Sequence, residues 1–418
     1  MSLDSLSSSA LLIAFFVYLV AFIIFVLAIL GKKWSRDLSA ETAARHVKKW
    51  GWAGYVIAAI GFVCQVVYFI SRWIEAGHIP TSNLFEFLTF FGMMVILAFL
   101  VVYLIYRTPV FGIFAMPVGF IIIAYASVFP SEIQPLVPSL KSYWLNIHVT
   151  TAALGEAFFA VGFAAGLMYL IRMVNFQGTS KTDRRERRGV EFSLFTIVAL
   201  VSFIVLIFAF NSAGYSAKFQ IETTVKGEVT VEESNYVLPP IVSPSTSTLV
   251  QMDTFLGMKE PLFEAPAWMK GASAGRKLNT VIWSAIVGFL AYGLLRLIAR
   301  KPLGAALSPL VQGVDPEDLD EISYRGIAIG YPIFTLGGLI FAMIWAQEAW
   351  GRFWGWDPKE VWALITWLFY AVLLHFRLSR GWVGKRSAWL AVIGFLVVMF
   401  TLIGVNLIIA GLHSYAGV

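Results

Sequence analysis

Three of the five histidines in this chain lie at or within long apolar runs. His148 falls at the start of one run, His375 near the end of another, and His413 just after the last. Ionisable side chains within membrane spans are rare and usually functional, and a neutral imidazole is a common metal ligand. These three are therefore candidate metal ligands. Each could instead be satisfied at headgroup level, and His375, beside Phe376 and Arg377, could extend towards the membrane surface.

The second feature is residues 345–362, WAQEAWGRFWGWDPKEVW, which we call the tryptophan segment. A membrane-boundary belt of aromatic rings is the alternative reading, but a belt needs only one or two rings per helix end and no glycines. Small residues let a flat ligand approach the backbone closely. The composition therefore favours a shelf for a flat ligand, and a pair of imidazoles beside it favours haem. Trp350, Trp354 and Trp356 are its candidate catalytic residues, and Gly351 and Gly355 are candidate cofactor-binding residues.

The tryptophan segment ends in a helix-start signal. Asp357 can be the N-cap, Pro358 the first helical residue and Glu360 the third, which is a capping-box arrangement. The segment would then run directly into a helix that holds it rigidly. Asp357 is a candidate catalytic residue, and Asp357, Lys359 and Glu360 could contact haem carboxylates or merely stabilise the helix start.

Apolar runs must position these residues. The chain is 59% hydrophobic and 13% charged, with a mean hydropathy of +0.77, whereas soluble domains carry about 25% charged residues. A membrane helix needs about 20 apolar residues, and the runs lack strand alternation. We predict an all-α polytopic membrane protein of about ten helices. The predicted spans are 10–30, 52–71, 84–106, 110–129, 149–171, 190–211, 279–299, 326–345, 361–378 and 388–410.

Basic residues in the connections predict the orientation, because cytoplasmic loops are enriched in lysine and arginine. They occupy every second connection: Lys32, Lys33, Arg36, Arg107, Lys181, Arg184, Arg185, Arg300, Lys301, Arg380 and Lys385. We therefore assign the net charge of +6 to topology rather than to nucleic-acid binding. The single cysteine, Cys64, excludes an internal disulfide or a CxxC motif.

This orientation separates the histidines by depth. Both termini, the tryptophan segment, His148 and His413 fall on the outer face. His375 lies eighteen residues beyond Asp357, which is about 27 Å along a helix, so it lies near the inner face and cannot share an iron with the outer pair.

The expected organisation has four parts. Residues 1–75 form helices 1–2, and the first of these is expected to be retained because no basic region of a signal peptide precedes it. Residues 76–211 form helices 3–6 of the core. Residues 212–278 form a polar extracytoplasmic insert, in which 221–237 alternates partly like a strand. Residues 279–418 form helices 7–10 with the tryptophan segment.

At this point a family resemblance is evident. The stretch WGRFWGWDPKE resembles the tryptophan-rich WWD signature of haem-handling membrane proteins. The chain from about residue 80 onward resembles the CcsA (ResC) family, subunits of the system II cytochrome c synthase. Matching stretches are TSNLFEFLTFF at 81–91, WLNIHVTTAALGEAFF at 144–159, WGWDPKEVWALITW at 354–367 and GVNLIIAGLHSYAG at 404–417. The two extra N-terminal spans and the insert at 212–278 depart from the family pattern.

The resemblance implies a function at the cell inner membrane. His148 and His413 would be the axial ligands of an outer haem b, and His375 one ligand of an inner, transmembrane haem site completed by a CcsB (ResB) membrane subunit. Haem would pass to the outer, periplasmic face, where its vinyl groups react with the CxxCH thiols of apocytochrome c. Thiol-reducing proteins and membrane lipid are the other implied partners.

Two other functions stay open on the sequence. A haem transporter could load haem onto a separate carrier without catalysing attachment. A polytopic transporter unrelated to haem could use the tryptophan segment as a gate.

Overall fold

A computed structural model describes residues 3–34, 40–133, 136, 141–225, 228–245, 247–266 and 274–405. His413 lies outside these residues. The helices are α1 (Leu3–Trp34), α2 (Ala40–Ala76), α3 (Leu84–Tyr106), α4 (Pro109–Ala126), α5 (Tyr143–Met173), α6 (Lys181–Ser212), α7 (Ala274–Ala299), α8 (Leu303–Val311), α9 (Pro316–Phe334), α10 (Ala342–Trp350), α11 (Pro358–Arg380) and α12 (Lys385–Met399). One π-helical segment, Thr335–Phe341, joins α9 to α10, and a second, Phe400–Gly404, continues α12.

Ten helical segments among the described residues are long and apolar enough to cross a membrane. The eighth, Pro316–Trp350, is α9, the first π-helical segment and α10 in one continuous span. The predicted class, an all-α polytopic membrane protein, is confirmed.

Several helices extend beyond the predicted spans. The sixth was expected from residue 190, yet α6 begins at Lys181. Ser180 and Asp183 cap its start reciprocally: the Ser180 hydroxyl accepts from the Asp183 amide at 3.0 Å, and the Asp183 carboxylate accepts from the Ser180 amide at 3.3 Å. The cap satisfies the first N–H groups of α6. The helix can therefore begin at Lys181 and include basic residues that had been expected to lie in a loop.

The described residues form two compact units, the first comprising those up to Val190 and from Gly304 onward, the second Glu191–Leu303. Helix α5 is the centre of the first unit, since most of its residues are buried. It packs closely on α9, and a Cβ at Gly155 would lie 2.6 Å from the amide nitrogen of Phe334. Small residues at such contacts let membrane helices approach backbone to backbone.

The second unit carries the β-structure of the insert. Its strands are β1 (Ala217–Val225), β2 (Glu228–Tyr236), β3 (Val242–Ser243), β4 (Ser247–Met252) and β5 (Phe263–Glu264). A three-stranded antiparallel sheet has the order β2-β1-β4, and β3 pairs parallel with β5. On β1, Ala217, Phe219 and Ile221 alternate into a small core. Strands were expected within 221–237, and β1 and β2 cover 221–225 and 228–236 of that range.

Candidate functional site

A pocket lies within the first unit, where α5 begins and α10 ends. Its cavity volume is about 200 Å³. We call it the histidine pocket. Its lining includes the sequence-predicted His148, Trp350 and Trp354, together with Trp345, Glu156 and Lys359.

His148 is held in one orientation by the backbone of the opposite span. Its Nδ1 lies 2.8 Å from the carbonyl oxygen of Gly337, and because a carbonyl can only accept, Nδ1 must donate. In the neutral ring the coordinating lone pair then belongs to Nε2. Histidine metal ligands typically show this arrangement, with the other nitrogen donating to a carbonyl or carboxylate.

The π-helical segment Thr335–Phe341 lets the Gly337 carbonyl reach His148. A Cβ at Gly337 would lie 2.6 Å from the carbonyl carbon of Thr151 and would also collide with Ala152. Glycine therefore allows the two backbones to touch. Isolated π-helical turns are rare and occur frequently at functional sites, and here the turn positions a candidate ligand.

The tryptophans form one wall of the pocket. Trp345 is 2% exposed, and its ring stacks on the His148 imidazole with centroids 5.6 Å apart and planes 12° apart. Trp350 packs against Trp345 at 4.8 Å between centroids. The indole Nε1 of Trp354 is buried with no hydrogen-bond partner among the described residues. Buried donors are normally satisfied, so this one suits an acceptor atom of a ligand.

Only seven residues of the tryptophan segment, 351–357, lie outside helices. Gly351 ends α10 in a left-handed conformation, with φ of 69°, and the amide of Gly355 donates to Glu360 Oε2 at 2.7 Å. Trp356 has a left-handed φ of 57° and is 70% exposed. Within the described structure, none of these three lines the histidine pocket; the two glycines shape the turn beside it.

Asp357 and Glu360 form the predicted capping box at the start of α11. The Asp357 carboxylate accepts from the amide of Lys359 at 3.2 Å, and Glu360 Oε2 accepts from the Asp357 amide at 3.1 Å. Both carboxylates are therefore committed to the helix start. The side chain of Lys359 takes no part in the cap, and it lines the pocket.

The wall contributed by residues 81–83 is anchored through a buried ion pair. Glu86 Oε1 accepts from Arg72 Nε at 2.8 Å, with the two side chains 0% and 5% exposed. Glu86 Oε2 accepts from both the amide and the hydroxyl of Ser82, at 2.9 and 2.7 Å. Asn83 caps α3, accepting from the Glu86 amide at 2.8 Å. The α2–α3 connection is thereby fixed against the pocket.

Glu156 is the pocket residue that the sequence analysis missed. It is 4% exposed, and its Oε2 has no hydrogen-bond partner in the described part of the chain. A signal was available: His148, Ala152 and Glu156 are spaced by four, so they share one face of α5. An ionisable residue on that face of a span is itself a functional candidate.

His375 lies apart from the histidine pocket. It is exposed on α11, and its Nδ1 is 3.4 Å from the hydroxyl of Ser379. Tyr370 and Leu373 are buried, and Arg377 binds Asp320 with two contacts of 2.9 and 2.7 Å. These three residues mark the packed face of α11. His375 precedes Arg377 by two residues, which corresponds to about 200° around the helix. His375 therefore faces outward from the unit.

The two predicted outer ligands cannot be compared directly, because His413 lies outside the described residues. The second π-helical segment contributes Thr401 and Leu402 to the pocket lining. The described chain contains no group of three or more His, Cys, Asp or Glu residues that could hold a metal ion. The chemistry available is thus one oriented imidazole, an aromatic wall and the charged residues Glu156, Lys359 and Glu360, of which Glu360 also caps α11.

Comparisons with known proteins agree with this architecture. Residues 272–413 match the family model described as cytochrome C assembly protein. The cytochrome c biogenesis protein CcsA of Nostoc punctiforme is 33% identical over 373 residues, covering 87% of this chain and 88% of the relative. Those of a Picosynechococcus species and of Gloeobacter violaceus are each 32% identical, covering 87% and 86% of this chain and 87% and 84% of the relatives.

Proposed function

This chain belongs to the CcsA family of cytochrome c biogenesis proteins, and from that premise we propose that it is the membrane subunit of a system II cytochrome c synthase. It acts with a CcsB (ResB)-like subunit in the cell inner membrane, and its histidine pocket opens on the periplasmic face. There it holds haem b while the haem is attached to apocytochrome c.

The observation that carries this proposal is the orientation of His148 at the wall of an aromatic pocket. The hydrogen bond from Nδ1 to Gly337 leaves Nε2 as the nitrogen that can coordinate iron. Trp345, Trp350 and Trp354 supply flat apolar surface of the kind that a porphyrin requires. The buried indole N–H of Trp354 suits a planar ligand with acceptor atoms at its edge.

His148 and His413 are the proposed axial ligands of the outer haem. The pocket's contribution to attachment is then proximity and orientation, since fixed imidazoles and indoles determine where the vinyl groups of the substrate lie. Each thiol of the CxxCH motif adds across one vinyl group. A carbon–sulfur bond forms, the thiol hydrogen ends on the other vinyl carbon, and no external oxidant is consumed.

His375 is the proposed ligand of an inner haem site. Its outward orientation on α11 supports a second ligand from the partner subunit. Haem would enter there and reach the outer pocket from the inner side.

Co-expression with an apocytochrome tests this function. We expect the chain and its CcsB-like partner to produce covalently haem-stained cytochrome c without a separate haem chaperone. The purified complex should show a Soret band that is weakened in a His148→Ala variant. Haem binding without any holocytochrome would instead identify a delivery protein, and the lack of a Soret band with haem supplied would contradict both functions.

A further inference from the structure

The histidine pocket contains two charged side chains that the proposed attachment chemistry does not use, Glu156 and Lys359. The other acidic groups nearby have evident structural roles. Asp357 and Glu360 cap α11, and Glu86 binds Arg72 and Ser82. A charge inside a mostly apolar pocket is unfavourable unless it is paired or binds a ligand, so these two side chains require an explanation.

Lys359 is placed to present a cation to a bound molecule. It is the second residue of α11, and its side chain lines the pocket rather than joining the cap. Glu156 lines the same pocket. No described ion pair within 4.0 Å joins Lys359 to Glu156, so the two charges share the pocket without direct contact.

Glu156 lines the same pocket further along α5. It lies eight residues beyond His148 on the same face of α5, which is about 12 Å along the helix. Its Oε2 is buried without a partner among the described residues. The pocket is therefore lined by a lysine and a carboxylate in addition to the imidazole and the indoles.

We propose that Lys359 binds a carboxylate of the ligand, a haem propionate, and that Glu156 is a second carboxylate in the same pocket that opposes this binding. This inference rests on the proposed function, because it names the pocket residue that faces the acidic edge of the haem. The iron would then be held by His148 and one acidic edge of the porphyrin by Lys359. A negative charge on Glu156 repels the propionate, so removing Lys359 and removing Glu156 have opposite effects on haem affinity.

Haem and haem dimethyl ester are the two probes, titrated into the full chain purified with its partner and followed in the Soret region. We expect wild type to bind haem about ten- to a hundredfold more tightly than the ester, since hydrogen bonds to charged groups have this strength. K359Q should lose this preference, and K359R should retain most of it. E156Q should bind haem about fivefold or more tightly than wild type, because the repelling carboxylate is gone.

Two exposed residues supply matched controls, K301Q for the lysine change and E317Q for the glutamate change, and both should leave the preference unchanged. Thermal melting identifies any variant that does not fold. If K359Q does not fold, the test depends on K359R. Wild type that binds haem and its ester equally, or K359Q that retains the preference, would overturn the propionate site and leave the proposed function standing. Wild type that binds neither probe would overturn both.

Discussion

Two histidines of the first unit, His148 and His375, have different surroundings. His148 donates to Gly337, stacks on Trp345 and lines a pocket of about 200 Å³. His375 is exposed, with one long contact to Ser379 on its own helix. The imidazole of His148 is oriented by a neighbouring span, whereas the imidazole of His375 contacts side chains of its own helix.

This difference shows that one chain can carry one imidazole with a fixed orientation and another whose surroundings are open. An imidazole whose second nitrogen donates to a carbonyl would need little reorganisation to bind a metal, whereas an outward imidazole gains its geometry from whatever packs on it. The region around His375 is nevertheless well packed, since Arg377 joins Asp320, and Asp320 accepts from the Gly384 amide at 3.0 Å. The outward direction of His375 is thus a property of its helix face.

The largest expected effect comes from removing the two imidazoles in turn. His148→Ala should abolish cytochrome c attachment and prevent the purified complex from binding added haem in the outer pocket, with partial rescue by imidazole. His375→Ala should also block maturation in cells, yet the purified complex should still bind added haem at the outer pocket. His413→Ala should behave like His148→Ala. Haem staining of cytochrome c and Soret titration measure both outcomes.

His46→Ala, on the α2 helix, is the matched control and should mature cytochrome c normally. Equal loss of added-haem binding in His148→Ala and His375→Ala would remove the distinction between an imidazole with a fixed orientation and one whose surroundings are open.

The next effect concerns how the outer imidazole is held. Gly337→Ala should destabilise the protein by about 1–3 kcal/mol, because overpacking a close backbone contact has effects of this size, and should weaken haem binding by displacing the acceptor of His148. Gly293→Ala on α7 is the control, since a Cβ there meets nothing within 4 Å. Thermal melting measures the stability of the variant, and Soret titration measures its haem affinity. Wild-type haem affinity in a folded Gly337→Ala protein would show that this carbonyl does not position the His148 ring.

A smaller effect tests whether Asp357 acts only as a cap. Asp357→Ala should lower stability by about 1 kcal/mol, the usual effect of losing an N-cap, whereas Asp357→Asn should be close to wild type because asparagine caps equally well. Melting curves of both variants measure this. An asparagine variant of normal stability that attaches no haem would instead assign the carboxylate a chemical role.

The smallest expected effect is at Trp354. Trp354→Phe keeps a ring at the pocket wall and removes the buried N–H, so haem affinity should fall about two- to tenfold, the value of one hydrogen bond. The exposed Trp356→Phe is the matched change and should have less effect. Identical affinities for wild type and Trp354→Phe would mean that the indole nitrogen meets no ligand atom.

The sequence by itself determined the membrane class, the ten spans, the capping box at Asp357 and the strand alternation of the insert. Each of these depends on residue spacing along one element, which local periodicity and capping chemistry record. It also identified His148, Trp350 and Trp354, because rare polar and densely spaced aromatic residues are visible without a fold.

Only the tertiary structure decided which of these residues meet. The contact of His148 with Gly337 joins residues 189 positions apart, and it depends on a π-helical turn that periodicity does not indicate. Trp356 resembles Trp354 in sequence, yet its left-handed backbone leaves it outside the pocket. Glu156 is a pocket residue because α5 and α11 line the same pocket, and helix packing across the unit, not neighbours in the chain, decides which residues share it.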